Sequence, residues 1–237
     1  MTQPTSADLY DVIDQTWPAL ATKQCGGWTI RQGGGGGSRV SAATGSGDIA
    51  VAEEEMRALG QPCLFQIRDG GAALDRQLDA RGYEIKDPVT LYCAGFDAIT
   101  VQPPEPAMSF EVWPPLAIQK EVWAKGGIGE ARLQVMERAH CPKTTICGRI
   151  GDHAAGSAYV GIHNGIAMLH ALETDPDFRR RGLGRQMINA IAFWARNNGA
   201  DQLALVVTQA NTAANALYQS IGMKVVGHYH YRILPMA

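Results

Sequence analysis

Residues 175–185 have the sequence DPDFRRRGLGR, and this stretch decides the fold of the chain. It lies between an apolar, strand-like segment at 166–172 and residues 183–197, where apolar side chains recur at helical spacing. Glycines in such a turn let the backbone approach a ligand closely. The free N–H groups that begin a helix, with arginines beside them, favour a phosphate or pyrophosphate. The stretch therefore predicts an anion site, and a solvated basic turn is the alternative interpretation.

The segments around this stretch alternate between strands and helices. Residues 116–139 contain two helical patches separated by glycines. The apolar run LALVV, residues 203–207, is typical of a strand covered on both faces. The complete predicted order is strands at 144–150, 158–162 and 166–172, a helix at 183–197, a strand at 203–207, a helix at 212–220 and a strand at 224–234. This order predicts an α/β fold with a mixed central sheet.

A second motif lies downstream, where residues 211–223 have the sequence NTAANALYQSIGM. Together the two motifs resemble the GNAT superfamily of acyl-CoA-dependent N-acyltransferases. The family loop Gln/Arg-x-x-Gly-x-Gly/Ala is matched by Arg179, Gly182 and Gly184. The family's Asn-x-x-Ala-x-x-Leu-Tyr-x-x-x-Gly-Phe is matched except at its last position, where this chain has Met223. The resemblance covers about residues 109–234 and implies a GNAT-type sheet, acetyl-CoA as acyl donor and an amine acceptor.

The resemblance also implies a set of cofactor contacts. In the family, the pantetheine arm lies in a gap between two strands, the pyrophosphate binds the loop amides, and an asparagine contacts the arm. The corresponding residues here are Leu172, Glu173, Thr174, Arg179, Arg180, Arg181, Gly182, Leu183, Gly184, Arg185, Asn211 and Tyr218. The resemblance places Tyr218 near the sulfur, where a tyrosine with a pKa near 10 can protonate the departing thiolate. The alternative for Tyr218 is a packed helix aromatic.

Acyl transfer to an amine also needs a group that takes the proton of the incoming ammonium. His170 and Glu173 on the predicted central strand are the candidates, and strand alternation points them to opposite faces. His170 is the first choice, because a histidine at this position helps remove the proton in the arylalkylamine branch of the superfamily. A buried, hydrogen-bonded structural histidine is the competing interpretation. Glu173 is the second candidate, for the substrate ammonium or a backbone contact.

The chain divides at residues 101–106, VQPPEP, because three prolines in four positions cannot continue a helix or a central strand. We expect one domain at 1–100 and a catalytic GNAT domain at 107–237. Residues 64–83 resemble residues 203–223 at an offset of about 140, which predicts a tandem arrangement with a degenerate GNAT-like first domain. Leu78 stands where the second copy has Tyr218, and the pyrophosphate loop is missing from the first copy.

Five consecutive glycines, Gly33 to Gly37, are predicted to form a flexible hairpin loop between strands at 28–31 and 39–42. Arg31-x-x-Gly34-x-Gly36 formally matches the phosphate-loop pattern. It lies between two predicted strands rather than before a helix, so the argument from helix amides does not apply there.

Composition limits the classes of partner. With 21 basic and 23 acidic residues the net charge is −2, which argues against nucleic acid, and no apolar run approaches the roughly 18 residues of a membrane span. Five scattered cysteines favour reduced thiols and a cytoplasmic location. His228 and His230 share a strand face without further ligands at zinc spacing, so no metal is expected.

Two functions compete on these observations. The first is an N-acetyltransferase that moves an acetyl group from acetyl-CoA to a primary amine of a small molecule, amino acid or peptide by direct attack. The second is a catalytically inactive acyl-CoA-binding or regulatory module. Intact Asn211 and Tyr218 favour the enzyme. The sequence leaves the acceptor unspecified and a homodimer open.

Overall fold

The computed structural model describes residues 3–105 and 107–235. The helices are α1 Ser6–Thr16, α2 Ser38–Ser41, α3 Ile49–Ala58, α4 Ala72–Asp79, α5 Ala117–Lys125, α6 Glu130–Arg138, α7 Leu183–Asn197 and α8 Thr212–Ser220. The strands are β1 Ala21–Cys25, β2 Trp28–Gln32, β3 Thr44–Gly45, β4 Leu64–Ile67, β5 Glu84–Gly95, β6 Ser109–Val112, β7 Lys143–Ile150, β8 His153–His163, β9 Ile166–Thr174, β10 Gln202–Thr208 and β11 Lys224–Ile233. These elements confirm the strands and helices predicted between residues 116 and 234.

Eight strands form one mixed sheet in the order β4-β11-β5-β10-β9-β8-β7-β6. β9 and β10 run parallel, and the other neighbours run antiparallel. The parallel pairing extends only from Gln202 opposite Ile166 to Leu205 opposite Leu169. Beyond that point both strands continue without pairing to each other, so a gap opens between the ends of β9 and β10.

β5 comes from the predicted first domain but lies in the sheet between β10 and β11. Its residues 89–94 are all buried, which is typical of a strand covered on both faces. β11 of the second predicted domain in turn pairs with β4 of the first. The segments 1–100 and 107–237 therefore exchange strands within one sheet. Pro106, at the end of the predicted linker, lies outside the described residues.

The sequence repeat corresponds to a repeated order of elements. β4, α4 and β5 follow one another as β10, α8 and β11 do, at the offset of about 140 seen in the sequence. Arg232 on β11 binds Asp75 and Asp79 on α4, at 2.7 and 2.8 Å, and donates to the carbonyl of Tyr83. These contacts fasten the exchanged strand of one copy to the helix of the other. The degenerate GNAT-like character of the first copy stays a prediction.

The glycine segment 33–37 is not a flexible hairpin, and that prediction is wrong. Residues 38–41 form a single helical turn instead of a strand. The glycines lie against α6, because a Cβ on Gly36 would be 2.6 Å from Val135 Cγ2 and one on Gly35 would be 3.2 Å from Ala131 Cβ. The run of glycines thus permits close packing of backbone on a helix.

The two faces of the sheet carry different helices. α7 buries one stripe on strand residues such as Leu169 and Leu205, and each large side chain buried there contributes roughly 1.5–3 kcal/mol. The buried residues of α7 are Leu183, Met187, Ile188, Ala190, Ile191, Ala192 and Ala195. α1 packs on the opposite face, against Met168 and Ala204. Within residues 3–105 and 107–235, no helix combines the length and the apolar character needed to cross a bilayer.

Candidate active site

The helix α7 begins without a side-chain cap. Its N-cap is Gly182, whose φ of +82° lies in the left-handed region, and Arg180 before it also has a positive φ, +64°. No acidic residue occurs in the first turn. A Cβ on Gly182 would meet no atom within 4 Å, so the space before the helix is open. The uncapped amides and the positive end of the helix dipole are therefore available to an anion.

A cavity of about 650 Å³ lies between this loop and α8. Its lining includes all of the predicted cofactor-binding residues except Arg181, whose guanidinium lies over the ring of Phe178 at 5.3 Å. Arg185 donates to Ser220 Oγ at 2.8 Å and borders a second cavity of about 460 Å³ against residues 98–105. Among the residues that the structure describes, the lining of this second cavity includes none of the three predicted catalytic residues, His170, Glu173 and Tyr218.

Asn211 is the N-cap of α8. Its Oδ1 accepts the N–H of Ala214 at 3.1 Å, and the residue also lines the 650 Å³ cavity. This side chain therefore sets the start of the helix that carries Tyr218.

Tyr218 lies inside the cavity with little exposure to solvent. It is 6% exposed, and its ring centroid is 5.9 Å from that of Tyr92. Among residues 3–105 and 107–235, none hydrogen-bonds to its hydroxyl. Burial raises the pKa of Tyr218 to about 12. The phenol consequently keeps its proton at neutral pH and has no internal acceptor for it.

A bulge in β9 changes the predicted geometry of the two candidate bases. Tyr159 pairs with His170 and Ser157 with Glu173, so three steps along β9 match two along β8. The irregular residue is Ala171, with φ of +51°, and its carbonyl accepts the indole N–H of Trp123 at 2.7 Å. His170 and Glu173 therefore lie on the same face of the sheet. The prediction of opposite faces is wrong, because a bulge breaks the two-residue period.

His170 is 2% exposed, and both of its ring nitrogens have partners. Nε2 lies 2.8 Å from Thr16 Oγ1, whose own proton is donated to the carbonyl of Val12. Nε2 is therefore the protonated nitrogen, and Nδ1 accepts a hydrogen bond from Arg39 Nη1 at 2.8 Å. Burial, with the charge of Arg39, holds the pKa of His170 well below its usual value. These contacts favour the alternative interpretation of His170, in which it is a neutral, hydrogen-bonded structural histidine.

Glu173 is a partly exposed carboxylate held from two sides. Its Oε1 lies 3.0 Å from Arg179 Nη2, and Arg179 also donates to the carbonyl of Thr174 at 3.1 Å. The side chain passes close to Gly126, where a Cβ would be 2.6 Å from its carboxylate. The Glu173 side chain is 21% exposed, and the residue is part of the lining of the cavity that contains Tyr218.

A smaller cavity, of about 200 Å³, opens on the face opposite α7 and was not anticipated from the sequence. Its lining includes residues 206–208, at the end of β10 that does not pair with β9, together with Arg39, Arg132, Tyr229 and Tyr231. The only sequence signal for it was the glycine segment, which brings Gly36 and Gly37 to the cavity wall. In the part of the chain that the structure describes, no group of three or more His, Cys, Asp or Glu side chains could hold a metal ion.

Comparison with known proteins identifies the family. The model of the "Acetyltransferase (GNAT) family" matches residues 111–223. The ribosomal protein bS18-alanine N-acetyltransferase of Salmonella typhimurium is 33% identical over 106 residues, which cover 39% of this chain and 72% of that protein. The chain belongs to the GNAT family of acetyltransferases. The resemblance of the two sequence motifs is thereby confirmed, and the chain is an acyltransferase.

Other similar proteins match this GNAT acetyltransferase over most or all of its length. The uncharacterized N-acetyltransferase YobR of Bacillus subtilis is 27% identical over 232 residues, 92% of this chain and 94% of that protein. A GCN5-related N-acetyltransferase from Kribbella flavida has a TM-score of 0.74 at 16% identity, covering 100% of this chain and 98% of the other. A tandem GNAT protein from the clavulanic acid biosynthesis pathway has a TM-score of 0.58 at 14% identity, covering 100% and 92%. The predicted fold class is confirmed.

Proposed function

We propose that this GNAT enzyme transfers an acetyl group from acetyl-CoA to a primary amine of a small molecule, amino acid or peptide by direct attack. The observation that carries the proposal is the Tyr218 hydroxyl. It is protonated, has no acceptor among the described residues and lies in the same cavity as the uncapped start of α7. An anion site and a proton donor in one cavity match a thioester donor that carries a pyrophosphate and releases a thiolate.

The residues of the loop fit the cofactor. The open space at Gly182 and the uncapped amides of residues 183–185 suit a pyrophosphate, and Arg179, Arg180 and Arg185 are among the residues that line the same cavity. Leu172–Thr174 lie beyond the last contact between β9 and β10, and the edge of this segment that faces away from β8 suits the pantetheine arm. Bound acetyl-CoA supplies an acetyl group already activated as a thioester.

Tyr218 donates its proton to the sulfur as negative charge develops there. Its pKa of about 12 keeps the proton in place until that charge appears. A positioned acid of this kind contributes typically 10²–10⁴-fold to a rate.

Glu173 is the better placed of the two candidates for the ammonium proton. Glu173 lines the cavity and has a partly exposed side chain, whereas both nitrogens of His170 already have partners. The ion pair with Arg179 orients the carboxylate. We propose that Glu173 accepts the proton and that His170 holds the bulged strand in place through Thr16 and Arg39.

Thiol release from acetyl-CoA with a panel of primary amines, amino acids and peptides tests the function. We expect amine-dependent thiol release in equal amount to the acetylated product. Calorimetry on the same protein separates the alternatives. Tight acetyl-CoA binding without turnover across the panel would favour the inactive binding module, and absence of binding would refute the assignment of the loop.

A further inference from the structure

The cavity of about 200 Å³ contains two arginines that reach it from different parts of the chain. Arg39 follows the glycine segment, and Arg132 is on α6. The guanidinium of Arg39 lies 4.9 Å above the ring of Trp17, and its Nη1 donates to His170 Nδ1 at 2.8 Å. The guanidinium of Arg132 lies against Gly37, where a Cβ would be 3.6 Å from its Nε and Nη2. Both residues thus line the cavity, and the guanidinium of Arg39 is fixed by its contacts with Trp17 and His170.

Neither arginine has a carboxylate partner within 4 Å among residues 3–105 and 107–235. Arg39 and Arg132 are partly buried, whereas the two fully buried arginines of the described residues each have a carboxylate partner: Arg31 binds Asp14 at 2.9 Å, and Arg232 binds Asp75 at 2.7 Å. The pKa of Arg132 is lowered by burial and by the like charge of Arg39. Two neighbouring positive charges without a counter-ion repel each other, and an anion between them would remove that cost.

The position of the cavity relates it to the proposed reaction. Val206 to Thr208 line it, and these residues of β10 have lost their pairing with β9. The larger cavity borders Leu172 to Thr174, the end of β9 that does not pair with β10. The two cavities thus approach the same gap between strands, the larger beside α7 and α8 and the smaller on the side of α1. A ligand in the small cavity would face the proposed thioester across the gap.

We propose that Arg39 and Arg132 bind an oxyanion of the acceptor, so that the acceptor is a small amine carrying a carboxylate or phosphate. This inference rests on the proposed function. Arginine binds such groups through two parallel hydrogen bonds, which fixes the orientation of the ligand as well as its charge. Asp87 is the acidic residue of the cavity lining; its carboxylate lies 3.4 Å from Lys86 Nζ and forms no ion pair with Arg39 or Arg132.

The test compares matched amines in the thiol-release assay with the full chain. Each amino acid is paired with its amide, β-alanine with β-alaninamide, and O-phosphoethanolamine with ethanolamine. We expect kcat/KM to be at least tenfold higher for one class of anionic amine than for its neutral partner, and the third pair separates phosphate from carboxylate. In Arg132→Gln that preference should fall at least tenfold, mainly through KM, and Arg132→Lys should restore part of it. Equal or better use of the neutral partners would overturn the inference while leaving the proposed function intact.

Arg76→Gln is the matched control, because it removes an exposed positive charge from α4, outside the lining of the cavity. It should keep the full preference. A second measurement does not depend on turnover, since calorimetry can compare N-acetylglycine with N-acetylglycinamide on wild type and on Arg132→Gln. Wild type should bind N-acetylglycine but not N-acetylglycinamide, and Arg132→Gln should bind neither. This result would support the anion site even if no amine of the panel is acetylated. The inference would be overturned if, in both the thiol-release assay and the calorimetry, the anionic and neutral ligands behave alike or Arg132→Gln behaves like the wild type.

Discussion

The two copies of the repeated unit begin their equivalent helices in opposite ways. α3 precedes β4 as α7 precedes β10. α3 starts three residues after β3, and the carboxylate of Asp48 accepts the N–H of Ala50 at 3.0 Å. α7 starts at Leu183 after a longer loop, and its N-cap, Gly182, has no side chain to cap the helix. A carboxylate at a helix start occupies the place that a phosphate would take, so only the second copy keeps an open anion site.

The same contrast appears one helix later. Tyr218 on α8 corresponds at the offset of 140 to Leu78 on α4, and Leu78 is completely buried. The first copy therefore uses this position for its core, whereas the second has a phenol in a cavity. The comparison places the proposed anion site and the proposed proton donor in the same copy, and the other copy has neither feature at the equivalent positions.

The largest expected effect tests the proton donor. Tyr218→Phe keeps the ring but removes its only proton, so kcat should fall by roughly 10²–10⁴-fold while acetyl-CoA affinity changes little. A donor with a more acidic thiol should recover much of the lost rate, because its thiolate needs less protonation. Steady-state kinetics with both donors measures this.

The control for that variant lies in the other copy. Tyr83 is also buried, and its hydroxyl donates to Glu53 at 2.8 Å. Tyr83→Phe should lower stability without lowering kcat. If Tyr218→Phe turns over like the wild type, another group protonates the sulfur, and the comparison of Tyr218 with Leu78 loses its catalytic meaning.

The next effect tests the open helix start. Gly182→Val puts a β-branched side chain at a positive φ and into the space proposed for the pyrophosphate. We expect acetyl-CoA affinity to fall by at least about 100-fold, and wild type to bind one acetyl-CoA per chain by calorimetry. A pyrophosphate held by several charge-assisted hydrogen bonds accounts for a loss of that size.

The control variant Gly60→Val distinguishes the effect of backbone strain from the effect of blocking the proposed pyrophosphate site. Gly60 ends α3, has φ of +66° and would likewise place its Cβ in open space. It should lose roughly 1–2 kcal/mol of stability from the strained backbone and keep normal acetyl-CoA affinity. Normal affinity in a folded Gly182→Val protein, or two equivalent sites in wild type, would contradict the contrast between the copies.

A smaller effect concerns the contact between the copies at His170, which binds Thr16 and Arg39 of the first segment. Because its folded-state pKa is depressed, the unfolded chain binds more protons below the ordinary value of about 6.5. Stability from this residue is therefore present above pH 6.5 and is lost as pH falls, by up to about 1.4 kcal/mol per pH unit.

His170→Gln should accordingly be less stable at pH 7, and its deficit should shrink between pH 7 and 5. Urea unfolding of both proteins at several pH values measures the difference. Parallel curves would contradict a neutral buried imidazole. The pH–rate profile of His170→Gln distinguishes the two candidates for the general base. Loss of the acid limb of the profile in this variant would show that His170, and not Glu173, is the base.

Local signals in the sequence predicted most of the second copy. The period of apolar residues placed α7, and the run at 203–207 placed β10, because each element carries its own pattern. The position of β5 was missed, since nothing within a strand says which distant strands it pairs with. The bulge at Ala171 was missed for a related reason, because one inserted residue is visible only in the register with β8. Arg39 and Arg132 meet only after the glycine segment packs on α6.

The smallest expected effect concerns two helix caps whose removal should cost the same stability but have different effects on catalysis. Asp48 caps α3 and Asn211 caps α8, each through a side-chain oxygen that accepts a backbone N–H. Removing a cap of this kind costs about 1 kcal/mol, so Asp48→Ala and Asn211→Ala should lower the free energy of unfolding by similar amounts. Only Asn211→Ala should also lower kcat/KM, because α8 carries Tyr218 and its start borders the cofactor cavity. Asp48→Ala should still bind a single acetyl-CoA, since α3 follows only a three-residue connection and lacks the arginine–glycine loop. A second binding site in Asp48→Ala would show that the carboxylate alone keeps the first copy from binding the cofactor.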